Sequence, residues 1–179
     1  MLTPEQKKKF LSLARQTIQE HLKKEKAPIF KATENVFLEK RGAFVTLKID
    51  NQLRGCIGYI VADTPLYKTI QEMAVEAAFG DPRFVSLDET EFNKIKIEIS
   101  ILSELKQISD VNEIEIGKHG ILIRKGFNSG LLLPQVATEY EWSRNEFLIH
   151  ACFKAGLPAE AWKDRDIRIY IFSAEVFGE

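Results

Sequence analysis

A thiol, a guanidinium and two glycines fall within six residues, Leu53-Arg54-Gly55-Cys56-Ile57-Gly58, inside a run that is otherwise apolar and strand-like. Glycine weakens a strand interior unless a bulge or a close backbone approach requires it, and a purely structural strand has little use for a central arginine. The chemistry open to such a set follows from its parts. A thiolate is the nucleophilic form of cysteine and is favoured by neighbouring cations; a guanidinium recognises carboxylate or phosphate; glycine lets a ligand approach the backbone. Cys56 is therefore the candidate nucleophile or acid/base, Arg54 the candidate anion-binding group, and Gly55 and Gly58 candidate ligand contacts. Each has a structural alternative, since free cysteine also packs as a small hydrophobe and glycine also serves a bulge or a closely crossing helix.

Three further polar residues join the candidates. Lys48 lies on the strand that should pair with the motif, and two cations facing each other across a hairpin call for a carboxylate or an anionic ligand between them. Asp81, in Asp81-Pro82-Arg83-Phe84, could supply that carboxylate structurally, and Arg83 carries the same choice between an ion pair and an anion pocket. Together these residues point to a small anionic ligand. No metal or other cofactor is expected: His21, His119 and His150 are scattered, and neither a paired-cysteine nor a His-Glu-x-x-His spacing occurs. The segment Gly117-Lys118-His119-Gly120 lacks the spacing of a phosphate-binding loop and reads as a turn.

The elements that must position these groups follow from periodicity. Residues Ala43 to Ile49 alternate as a strand, and Asp50-Asn51-Gln52 is turn chemistry. A two-residue loop would mix Val45, Leu47 and Ile49 with Arg54 and Cys56 on one face. A three-residue loop is expected instead, grouping Val45, Leu47 and Ile49 with Leu53, Gly55 and Ile57 and leaving Thr46, Lys48, Arg54 and Cys56 on the other face. Thr64-Pro65 predicts the start of a helix that ends at Gly80, whose Ala77 and Ala78 allow close packing and whose exit delivers Asp81 to Phe84 as a rigid turn.

Around this centre, a capping box at Thr3-Pro4-Glu5-Gln6 opens a helix to about Lys24. Ile95 to Leu102 alternates as a half-exposed strand with Lys96, Glu98 and Ser100 outward. Gly120 to Arg124 and Leu131 to Leu133 form a hairpin with a generous loop, a second capping box at Ser143 begins a helix that buries Cys152, and Ile167 to Phe172 is a closing strand. The mixed order of helices and hairpins predicts an α+β protein with a mixed, largely antiparallel sheet and flanking helices.

Composition excludes several classes. The formal charge of −1 provides no global field toward nucleic acid or an anionic membrane, so the lysines of the first helix read as a solvated face and nucleic acid is not an expected partner. Cysteines number only two, too few for a disulfide framework, and no signal-peptide pattern opens the chain. The expected setting is cytoplasmic, with no membrane-spanning segment.

Several blocks in order, Leu53 to Gly58, Pro65-Leu66, Asp81 to Phe84, Leu132-Leu133-Pro134-Gln135-Val136, Phe147-Leu148 and Lys154-Ala155-Gly156-Leu157, resemble those of the AMMECR domain family. The resemblance implies a single α+β domain over residues 1–179, with a larger and a smaller lobe and the Leu53–Gly58 motif at or beside a cleft between them. It implies no known reaction. In prokaryotes such proteins look like one member of a set with a Memo-like protein and a radical S-adenosylmethionine enzyme, which makes those two the expected partners. Three function classes follow: an enzyme acting through Cys56 on a small anionic substrate, a non-catalytic binding or adaptor module working with those partners, and, ranked last, a nucleic-acid or regulatory protein.

Overall fold

The computed structural model describes residues Met1–Glu179, which form two compact units, Met1–Leu102 with Glu175–Glu179, and Ser103–Ala174. In the first unit, helix α1 (Pro4–Leu22) begins with the expected capping box, Thr3 accepting from the Gln6 N–H and Gln6 bonding back to Thr3, and buries Phe10, Leu13, Ala14 and Ile18. A short helix α2 (Asn35–Leu38) adds Phe37 to the same core. Strands β1 (Ala43–Ile49) and β2 (Gln52–Tyr59) form a hairpin. Helix α3 (Leu66–Val75) then continues into a π-helical turn, Glu76–Gly80. The short helix α4 (Glu89–Phe92) is capped by Asp88 and precedes β3 (Lys96–Leu102), which pairs antiparallel with β1.

The second unit holds β4 (Lys106–Ile108), the hairpin of β5 (Gly120–Lys125) and β6 (Asn128–Leu132), helices α5 (Pro134–Glu139) and α6 (Arg144–Lys154), and β7 (Arg168–Phe172). Its core gathers Ile121, Ile123, Ile169 and Ile171 from the sheet with Phe147, Leu148, Ala151 and Cys152 from α6, whose Ser143 capping box is present as expected. Strand β8 (Ala174–Gly178) joins the first sheet, ordered β2-β1-β3-β8, while the second is ordered β4-β7-β5-β6. The fold is α+β with antiparallel pairing at the hairpins, as the sequence predicts.

Four local expectations are corrected. The β1–β2 loop has two residues, not three: Asp50 and Asn51 take φ values of 50° and 63°, the left-handed pair that a two-residue hairpin turn requires. Register is restored by a bulge, with Leu47 opposite Gly55 but Lys48 opposite Leu53, so that Arg54 is the extra residue. Thr64 does not cap α3, whose N-cap is Pro65 without a side-chain bond; the Thr64 hydroxyl meets that of Thr69 instead. Ser100 is buried, and the β5–β6 turn is tight, reversing over Gly126 at φ 56° and Phe127.

Candidate functional site

The bulge decides where the motif side chains go. Beyond it, Val45 faces Ile57 and Thr46 faces Cys56, so the apolar partners share the core side while the thiol shares the opposite side with Thr46. Below it the parity inverts: Leu53, expected in the core, lies across from Lys48 and is 43% exposed. The Thr46 hydroxyl donates to the Cys56 sulfur at 3.2 Å, and Cys56 is half-buried. On the next strand Thr46 lies opposite Glu98, so Cys56, Thr46 and Glu98 form one row across three strands of the sheet. Lys48 reaches along this face to Glu98 at 2.9 Å, in a half-exposed ion pair.

Because β2 is the edge strand, its outer backbone groups need partners. The turn after the π-helical segment supplies them, closed by the Phe84 N–H donating to the Asp81 carbonyl. Asp81 accepts the Cys56 N–H at 2.9 Å, and the Arg83 guanidinium donates to the Cys56 carbonyl at 3.1 Å. Asp81 also receives the backbone N–H, Nε and Nη2 of Arg83. These donors, the Arg83 guanidinium foremost, hold the Asp81 carboxyl well below the usual carboxylate range against the opposing effect of its burial. The carboxylate in turn raises the guanidinium. The pair is asymmetric in exposure: the Asp81 side chain is 2% exposed and that of Arg83 54%, so positive charge faces outward.

Arg54 takes a different course from the one its position in the motif suggests. As the bulge residue it has no opposite residue on β1, and it is buried. Its Nε and Nη2 donate to the two Glu91 oxygens at 2.8 and 2.7 Å, a bidentate pair, and Nη2 also donates to the Val85 carbonyl. Glu91 is lowered by this guanidinium and Arg54 is raised by Glu91. Nη1 has no acceptor; the Phe84 ring lies 5.6 Å from Cζ of Arg54 and equally from that of Arg83, a cation–π contact for each. The glycines answer to packing here. A Cβ on Gly55 would come 2.0 Å from the Ala77 carbonyl oxygen of the π-helical turn, and one on Gly58 would come 2.3 Å from the Phe44 ring.

A model of the AMMECR1 family matches residues 11–177. The chain belongs to the AMMECR1 family. It is 46% identical to a protein of Methanopyrus kandleri over 187 residues, covering 99% of this chain and 90% of that one. A protein of Aquifex aeolicus is 44% identical over 155 residues, covering 83% and 80% of the two chains. The crystal structure of an uncharacterised protein from Pyrococcus horikoshii superposes with a TM-score of 0.92 at 38% identity, over 99% of this chain and 93% of that chain. These names carry no specific function.

Of the candidate residues of this AMMECR1-family chain, Cys56, Asp81 and Arg83 are brought together, while Arg54 turns to Glu91 and Lys48 to Glu98. Glu91 and Glu98 were missed because their partners lie 37 and 50 residues away in sequence; the signal for Glu98 was its place as an outward residue of a clean alternation. No group of three or more His, Cys, Asp or Glu side chains could hold a metal ion, and no helix is long and apolar enough to cross a membrane. The arrangement offers a fixed, half-buried thiol with a hydroxyl donor, an outward guanidinium beside its backbone, and a carboxylate–ammonium pair in and beside the same row.

Proposed function

We propose that this AMMECR1-family chain acts on a small anionic substrate at the outer face of the first sheet, with Cys56 as the reacting thiol. The observation that carries this reading is the hydrogen bond from the Thr46 hydroxyl to the Cys56 sulfur. A hydroxyl aimed at the sulfur fixes where the thiol points, and a cysteine serving only as packing has no need of one. Arg83 gives the reading its substrate class: its counter-charge is buried and its guanidinium faces outward, so a carboxylate or phosphate near Cys56 meets the guanidinium before the carboxylate that pairs with it. Lys48 and Glu98 extend the polar face as an ion pair beside the Cys56–Thr46 row. Arg54 acts as a positioning residue that fixes the segment carrying Val85 and Glu91.

A second reading, a non-catalytic surface that docks the Memo-like and radical S-adenosylmethionine partner classes, is favoured by one observation. Arg54, Lys48 and Asp81 each have an internal ion-pair partner, which fixes the shape of the surface and engages those charges within the chain. A charge comparison separates the two. Alkylated at one pH by neutral iodoacetamide and anionic iodoacetate, Cys56 is expected to favour iodoacetate more than a free small thiol does, and Arg83→Gln is expected to remove that preference several-fold. Discrimination against iodoacetate equal to that of a free thiol, unchanged in Arg83→Gln, contradicts the anionic-substrate reading.

A further inference from the structure

The second sheet carries a charge arrangement opposite in kind to that around Cys56. Arg124 on β5 lies directly opposite Arg168 on β7, and on its other side opposite Ser129 on β6. Directly opposed side chains sit about 4.5–5.5 Å apart at Cβ, and like charges so placed are destabilising. Neither arginine forms an ion pair. The carboxylates of Asp164 and Asp166 pair with Lys125, at 2.5 and 3.2 Å, and with neither arginine. One step along the same face Tyr170 lies opposite Gln107, and the Arg124 guanidinium stands 5.8 Å over the Tyr170 ring. Within these two rows the polar groups are two guanidinia, a hydroxyl, a carboxamide and a phenol, with no carboxylate among them.

An unmatched arginine pair flanked by neutral donors is what a compact, multiply charged anion requires. Guanidinium forks match phosphate oxygens two at a time, and a dianion between the two arginines would convert their repulsion into attraction. We propose that Arg124 and Arg168, with Ser129 and Gln107 beside them, bind a dianionic phosphate group, either free or as a small phosphate monoester. This site lies within the second unit and does not depend on the reading of Cys56.

Calorimetric titration of the full chain at constant ionic strength tests it, with inorganic phosphate and glycerol phosphate as separate probes and chloride as the reference anion. Saturable binding of either phosphate probe is expected, weakened at least ten-fold by Arg168→Gln and by Arg124→Gln. The control Lys106→Gln/Lys118→Gln, which removes two charges elsewhere in the same unit, should leave it unchanged. Tighter binding of glycerol phosphate would assign the site to a monoester, and equal or tighter binding of phosphate to the free ion; both support the proposal. Arg168 is exposed, so its variant should fold, and unaltered circular dichroism makes its result decisive. No saturable binding of either probe, binding that survives both arginine variants, or binding lost equally in the lysine control overturns it. So does retention of a single-stranded oligonucleotide by a chain that binds neither phosphate probe.

Discussion

Cations at two places in the chain are treated in opposite ways. Around the Leu53–Gly58 motif each of three, Arg54, Arg83 and Lys48, has its own carboxylate in Glu91, Asp81 and Glu98. On the second sheet Arg124 and Arg168 face one another with none. Matched charges spend their hydrogen bonds on shape: they close the open edge of β2, pin the turn at Asp81–Phe84 and hold the bulge. Unmatched charges leave bonding capacity for something outside the chain. A motif rich in cations is therefore not by itself a binding site; a matched cation such as Arg83 offers a ligand only the part of its guanidinium that faces outward.

The sharpest way to break this comparison is to remove an answer. Glu91→Ala leaves the buried Arg54 uncompensated and is expected to cost about 3 kcal/mol in urea unfolding, in line with one-sided removal of a buried pair; a loss below about 1 kcal/mol would mean that the bidentate bond does not hold this segment. Asp81→Asn comes next, at about 2 kcal/mol for lost charged hydrogen bonds at neutral pH. The sign with pH is fixed. Held below its ordinary range in the folded chain, the Asp81 carboxyl contributes stability that is fully present above about pH 4, the unfolded value, and is lost as pH falls through the acid range. The gap between wild type and Asp81→Asn should therefore be constant from about pH 5 to 7 and shrink below about pH 4. A gap independent of pH would place the effect elsewhere.

The smallest effect has the opposite sign. Arg168→Gln removes a like-charge opposition and, without added anion, should raise stability by about 0.5 kcal/mol. A loss comparable to that around the Leu53–Gly58 motif would show that Arg168 has a partner after all and would dissolve the contrast between the two places.

What the sequence made legible was local. The capping boxes at Thr3 and Ser143, the bounds of β1 and the burial of Cys152 all follow from spacing within a few residues. The face on which Cys56 and Thr46 meet was also expected, but for the wrong loop. Two local demands compete there: Asp50-Asn51 is suited to a two-residue turn, while the core needs Gly55 and Ile57 in step with Leu47 and Val45. A bulge at Arg54 satisfies both, and no alternation pattern reveals an inserted residue. The approach of Ala77 to Gly55 and the partners Glu91 and Glu98 depend on tertiary contacts, so they lay outside what periodicity can reach.

The two cysteines test the central claim directly, because they differ in setting and nothing else competes for a thiol reagent. Cys152 lies in the core of the second unit, where burial pushes its thiol up, while Cys56 is half-buried under the Thr46 hydroxyl. Peptide-resolved alkylation of the native protein with iodoacetamide should modify Cys56 and leave Cys152 untouched until denaturant is added, and Thr46→Val should slow Cys56 several-fold without exposing Cys152. Modification of both cysteines only on unfolding, or a Cys56 rate indifferent to Thr46, would contradict a reacting thiol and reduce the motif to packing.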